Sequence, residues 1–294
     1  MNNDTAAQFR LDKRLVRGAF NRAAPHYEAV AVLQRTVEAH CLERLDLITV
    51  APGVIVDLGC GPGAAGRSLL ARYKRAQVLA LDLAPAMLQL ARRRRRWFSA
   101  QRFVCADAEA LPLAADGVDL VFSSLALPWC NDLGQALAEA WRVLRPGGLL
   151  MFSSLGPDTL KELRHAWGQV DGRTHVNAFI DMHDVGDALV RSGFESPVLD
   201  VEHFRLTYSD IATLATDLRR SGSRNATAGR PARPIGKSAW AALAAAYEAF
   251  RVDGFLPASY EVVYAHAWKP LQVRRRAAEG EQTLTFHPVR RGLT

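Results

Sequence analysis

Three acids, Asp57, Asp82 and Asp107, follow one another at intervals of 25 residues, each closing a short apolar run. The first leads into a glycine-rich turn, Val54-Ile-Val-Asp57-Leu-Gly59-Cys-Gly61-Pro-Gly63. Alternate glycines give that turn access to positive φ and let a ligand lie against bare backbone. Gly61-Pro-Gly63-Ala-Ala-Gly66 also spells the dinucleotide pattern G-x-G-x-x-G, with Asp82 about 20 residues on. Two details argue against a pyrophosphate there. Asp57 puts negative charge beside the turn, and Pro62 removes one of the N–H groups that would cradle a phosphate. An acid in that place suits an ammonium. A carboxylate at the end of the second strand, Asp82, can accept both hydroxyls of a ribose. The expected ligand is a nucleoside that carries a positive amino group and no phosphate.

Presenting three acids on one edge requires alternating strands and helices. Val54-Ile-Val and Val78-Leu-Ala-Leu read as buried strands, and Pro85 opens a helix anchored by Met87, Leu88 and Leu90. Gln101 to Asp107 forms a third unit, and Gly117 to Ser124 a fourth strand that leads into Leu125-Ala-Leu-Pro-Trp129-Cys-Asn. A helix over 133–144 stops at Arg145-Pro-Gly-Gly148, and a fifth strand spans 149–153. Before this core, helical spacing covers 13–24 and 30–47, broken at Pro25 where Tyr27 is presented. After residue 154 the pattern predicts helices over 158–167, 182–191, 208–220 and 240–250, with strands over 198–206 and 257–268. The basic loop from Ser221 to Pro234 is longer than a plain connector needs.

The chain has 294 residues, 49% of them hydrophobic, and a formal net charge of +7. Cys41, Cys60, Cys105 and Cys130 show no paired spacing, which fits a reducing compartment and no metal cluster. No leader pattern and no membrane-length apolar run are present, so a cytoplasmic protein is expected. Basic charge concentrates in the run Arg92, Arg93, Arg94, Arg95, Arg96 and again between Arg219 and Arg233. Such patches fit nucleic acid, an anionic membrane or an acidic protein. A base methyltransferase would need a polar clamp for an extruded base, and Ser123-Ser-Leu-Ala stands where its Asn/Asp-Pro-Pro-aromatic motif would be.

The D-x-G-x-G-x-G form resembles the first motif of class I methyltransferases, whose cofactor, S-adenosyl-L-methionine, has the expected ammonium and lacks phosphate. Three further stretches are more specific: Ala19-Phe-Asn-Arg-Ala-Ala-Pro-His-Tyr27 with Leu33-Gln34-Arg35, Ser124-Leu-Ala-Leu-Pro-Trp129-Cys, and Pro257 to Trp268. Together they resemble the malonyl-acyl-carrier-protein O-methyltransferases of biotin synthesis over nearly all of residues 12–268. The resemblance implies an α/β fold: a Rossmann-like, seven-stranded, mostly parallel sheet with helices on both faces, an N-terminal helical cover and a C-terminal helical cap. It divides the chain into a cover (1–50), a cofactor-binding core (51–155), the rest of the sheet with a substrate cap (156–270) and a mobile tail (271–294).

By the same resemblance, Asp57, Gly59, Gly61, Gly63, Asp82, Leu83, Asp107, Ala108 and Ser124 hold S-adenosyl-L-methionine, with Asp107 accepting from the adenine amine. The substrate is then the free carboxyl of a malonyl thioester. That carboxyl is ionised at neutral pH, so transfer needs positioning rather than a base. Tyr27, Trp129, Tyr264 and His266 are the candidates for orienting it. Arg219, at the edge of the apolar stripe Ile211, Leu214, Ala215 and Leu218, is the candidate cation for the carboxylate. The arginine run Arg92–Arg96 is the expected contact for malonyl-acyl carrier protein. Gly156-Pro-Asp-Thr-Leu-Lys-Glu-Leu-Arg and the Asn225 region also look like a related branch, the mitochondrial complex I assembly factors that hydroxylate an arginine.

Overall fold

Strand alternation in the centre of the chain sends neighbouring side chains to opposite faces of one sheet. Ile55, Leu120 and Met151 enter one core, and Val56, Val121 and Leu150 enter the other. The computed structural model describes residues 10–95, 97, 99–230 and 235–271. Its strands are β1 (Val54–Leu58), β2 (Gln77–Asp82), β3 (Gln101–Cys105), β4 (Val118–Ser124), β5 (Leu144–Leu155), β6 (Glu195–Tyr208) and β7 (Leu256–Trp268). They form one seven-stranded sheet in the order β3-β2-β1-β4-β5-β7-β6. β1 to β5 are parallel, while β7 lies antiparallel between β5 and β6. The Rossmann-like α/β fold read from the sequence is the fold observed.

The helices are α1 (Lys13–Ala23), α2 (Tyr27–Val30), α3 (Val32–Arg44), α4 (Ala64–Arg72), α5 (Pro85–Arg94), α6 (Leu133–Val143), α7 (Lys161–Gly168), α8 (Met182–Arg191), α9 (Ile211–Arg220) and α10 (Lys237–Glu248). α6 and α8 cover one face of the sheet through Leu137, Ala140, Val185 and Leu189. α3 and α4 cover the other through Val37, Cys41, Ala65 and Leu69, joined by α7 and α10. Chain order reverses between β1 and β4, which opens a crevice at the carboxyl ends of the strands. The first helices and the segment after β5 close over that crevice.

Two elements depart from the sequence pattern in an informative way. Tyr208, expected to begin a helix, is the last residue of β6, and α9 begins after Asp210, whose carboxylate accepts the Thr213 N–H at 2.8 Å. A capping acid decides that start, rather than the apolar period. The helix expected over 158–167 begins only at Lys161, because Leu160 holds a left-handed conformation (φ 53°). Arg96, Arg233 and, beyond Leu271, the tail expected over 271–294 lie outside the described residues. Among the described residues, no helix is long and apolar enough to cross a membrane.

Candidate active site

The glycine turn after β1 forms the floor of the crevice. Gly59 and Gly61 both have positive φ, 74° and 49°. A Cβ on Gly59 would lie 2.2 Å from the Ala126 Cβ, so any side chain there collides with the loop after β4. A Cβ on Gly61 would meet nothing within 4 Å, because that side of the turn faces open space. That space is a cavity of about 780 Å³, lined by Gly59, Gly61, Asp82 and Asp107 at one end and by cover and cap residues elsewhere.

Asp82 holds the turn as well as facing the cavity. One carboxylate oxygen accepts the Gly61 N–H at 2.9 Å, and the other accepts the Ala84 N–H at 2.7 Å. Burial pushes its pKa up to about 6, against the pull of those two N–H groups. Each oxygen keeps a further lone pair for a ligand hydroxyl. Leu83, Ala108 and Ser124 also line the cavity, as does Tyr27. Trp129 meets Phe20 edge-to-face, with ring centroids 5.1 Å apart. Leu125, between Ser124 and the short turn containing Trp129, holds a left-handed backbone (φ 53°). Its N–H is fixed by the Ser153 carbonyl at 3.2 Å and the Ser153 hydroxyl at 3.1 Å. Such a strained residue persists only where its surroundings over-determine it, and here it shapes a cavity wall.

Four expected site residues fall outside the cavity lining. Asp57 is 2% exposed and sits beneath the turn. A Cβ on Gly66 would lie 3.0 Å from its Oδ2 and 2.3 Å from Gln101 Nε2, so only glycine fits α4 beneath these two side chains. Burial and the neighbouring negative Glu38 push the Asp57 carboxyl well above the usual range, and Oδ2 has no hydrogen-bond partner. Gly63 caps α4 and packs toward Ala91. Tyr264 and His266 are misplaced by strand direction. β7 runs antiparallel to β5, so only its beginning reaches the crevice; Tyr260 lines the cavity there. At about 3.4 Å per residue, His266 lies some 20 Å farther along. Tyr264 is buried under Arg44, whose guanidinium stands 3.7 Å from the ring centroid.

The cover is fastened by contacts between residues far apart in sequence. Lys13 Nζ lies 2.8 Å from Asp107 Oδ1 and also pairs with Glu109. Burial pulls the Lys13 pKa down, but these two bonds outweigh it and hold the ammonium above its ordinary value. Asn131 clasps the Leu11 backbone, accepting its N–H at 2.7 Å and donating to its carbonyl at 3.1 Å. Leu11 in turn forms an antiparallel bridge with Thr227 of the cap. Asp107 therefore carries a protein partner on one oxygen, a contact the strand pattern could not reveal.

On the cap side, Arg219 lines the cavity at its exposed rim, together with Arg22 from α1 and Arg224. Arg220, one residue on, lines a separate shallow groove. His175 is a wall residue that sequence reading missed. Its Nε2 lies 2.8 Å from Asp171 Oδ1, and its ring stacks on Trp167 at 3.6 Å between centroids. Their separation of four residues lies in a loop, where spacing gives no face to read. Arg92–Arg95 do not line the cavity.

A methyltransferase-domain family model matches residues 56–152, from β1 into β5. A malonyl-[acyl-carrier protein] O-methyltransferase from Laribacter hongkongensis is 53% identical over 289 residues, 95% of this chain and 97% of its own length. The protein of the same name from Methylovorus sp. is 51% identical over 97% of this chain and 98% of its own. A more distant one, from Legionella pneumophila, is 40% identical over 90% and 93%. Among solved structures, the YcgJ protein from Bacillus subtilis superposes with a TM-score of 0.55 at 15% identity, covering 83% of this chain and 99% of its own. A Bacillus halodurans structure provisionally assigned as a methyltransferase gives a TM-score of 0.58 at 18% identity, covering 80% and 99%. At those identities the two structures speak for the fold alone.

Proposed function

The chain belongs to the malonyl-[acyl-carrier protein] O-methyltransferase family, and from that premise we propose that it transfers a methyl group from S-adenosyl-L-methionine to the free carboxylate of malonyl-acyl carrier protein. The product is the malonyl methyl ester from which pimeloyl and biotin synthesis starts. One observation carries the reading: one cavity is lined both by the glycine turn with Asp82 and by Arg219. The residues fit the cofactor. Gly61 leaves an open cradle where a side chain would intrude, and Asp82 keeps acceptor capacity for ribose hydroxyls. Asp107 has a second oxygen for the adenine amine, beside Ala108 and Leu83.

S-adenosyl-L-methionine, when bound, supplies an electrophilic methyl group. The protein's work is then to hold a carboxylate against it and keep water away. Arg219 offers a planar fork matched to a planar carboxylate. Phe20 and Trp129 wall the cavity with apolar surface. A methylated carboxyl loses its charge and with it the grip of Arg219, so the ester leaves after one transfer. Residues up to about 50 act as the cover, 51–155 as the cofactor core, and 156–270 as the remaining sheet with its cap. We place the reaction in the cytoplasm, in keeping with four free cysteines. Growth of a biotin-requiring strain that lacks its own malonyl O-methyltransferase tests the reading. The protein should restore growth without biotin, and failure of a well-expressed, folded protein would count against it.

Two smaller effects follow from the site. Lys13→Met removes the cover's ion pair with Asp107 and Glu109. Partly exposed charged bonds of this kind contribute about 0.5–1.5 kcal/mol, so cofactor should bind roughly 2- to 10-fold more weakly by calorimetry. Lys13→Arg should bind almost normally. The second effect concerns pH. Ribose hydroxyls donate to the ionised form of Asp82, so the bound state favours loss of the proton that the free protein holds with a pKa of about 6. Cofactor affinity should be level above that pH and decline below it, by up to about tenfold per unit for one linked proton. Titration calorimetry between pH 5 and pH 8 in buffers of different ionisation enthalpy should show proton release on binding at the acid end. A flat profile would separate Asp82 from the ligand.

A further inference from the structure

Two arginine-rich surfaces are available to an acidic partner, and the structure distinguishes them. The first is the end of α5. Arg94 there is paired with Glu28, and the Arg92 guanidinium donates to the Phe103 carbonyl at 3.4 Å and lies over the Phe103 ring. α5 begins at Pro85, just past Asp82, and carries Arg92 to Arg94 about 10–14 Å from that end. This cluster is partly neutralised and set back from the cavity.

The second surface is the cavity rim. Arg22 comes from the last turn of α1, and Arg224 from the loop that follows α9. Both line the cavity and both are exposed, which places them at its mouth. Among the described residues, neither side chain has a carboxylate within 4.0 Å or a hydrogen-bond partner. Burial, and then the positive charges of Arg219, Arg22 and Arg230, hold the Arg224 guanidinium below its ordinary pKa. Arginine nevertheless stays charged at any working pH. Cover and cap thus bring Arg22 and Arg224 together with no counter-ion on either among the described residues, an arrangement that an anionic partner relieves.

We propose that this rim, carried by Arg22 and Arg224, is the docking surface for the acidic carrier protein. The inference rests on the reading of the substrate given above. A carrier's arm is tethered at the carrier's own surface, so the carrier must sit around the mouth through which the arm enters.

Steady-state kinetics with two substrates test this: malonyl-acyl carrier protein, and malonyl-N-acetylcysteamine, which has the thioester but neither protein nor phosphate. R22Q/R224Q should raise KM for the carrier substrate about tenfold or more and raise that for the small thioester several-fold less. Added salt should raise the wild-type KM for the carrier, and that dependence should flatten in the variant. R92E/R93E/R95E should leave both substrates near wild type. A carrier-specific loss in the α5 variant instead of the rim variant would overturn the assignment. Equal losses on both substrates in the rim variant would also overturn it, since they would mark Arg22 and Arg224 as structural. If the wild type methylates neither substrate, the functional reading itself fails, and that outcome is distinct from failure of the dock.

Discussion

Asp82→Ala should lose roughly 10- to 150-fold in affinity for S-adenosyl-L-methionine, the equivalent of about 1.5–3 kcal/mol from a paired charged acceptor. The expectation has two sources. The carboxylate faces the cavity with free lone pairs, and its two oxygens also hold the Gly61 and Ala84 N–H groups at 2.9 and 2.7 Å. Removing it takes away an acceptor for two ribose hydroxyls and leaves two backbone donors of the cofactor turn without partners. Asp82→Asn keeps one acceptor oxygen and should fall between the two. Calorimetry on variants with a normal melting transition decides the matter, and unchanged affinity would remove Asp82 from the site.

Arg219→Ala should leave cofactor affinity intact and lower kcat/KM for the malonyl substrate roughly 100-fold, the loss of a charged hydrogen-bonded pair. Arg219 lies in the last turn of α9 and lines the cavity, whereas Arg220 serves a separate groove. The helix therefore offers the cavity one cation beside the apolar Ile211, Leu214, Ala215 and Leu218. Arg219→Lys should recover only part of the loss, because an ammonium keeps the charge without the planar fork. Near-normal turnover of Arg219→Ala would remove Arg219 from the site.

What the sequence made legible is what neighbouring residues determine. The strand, the glycine turn and α4 could be read because β-branched runs, glycine spacing and the following helix are adjacent in the chain. Asp82 could be read because the end of a parallel strand has a known position relative to the crevice. Trp129 could be read because it lies in the short turn that follows β4. The direction of a side chain just before a tight turn was not legible, and Asp57 lies buried beneath the turn it was expected to flank. Nor was the direction of a late strand. Alternation put Tyr260, Tyr264 and His266 on one face of β7, but only its antiparallel pairing with β5 shows which end meets the site. Contacts between distant segments left no local signal. Lys13 with Asp107, Leu11 with Asn131, His175 with Trp167 and the meeting of Arg22 with Arg224 all belong to that class.

The central claim is the transfer of one methyl group to a malonyl carboxylate. Intact-mass analysis of malonyl-acyl carrier protein, incubated with the purified protein and S-adenosyl-L-methionine, tests it most directly. The account predicts a gain of one CH₂ unit, located on the acyl arm, reversed by an esterase and absent when acetyl-acyl carrier protein replaces the malonyl form. An unchanged malonyl carrier protein, or an added oxygen on a protein arginine in place of the ester, would contradict it.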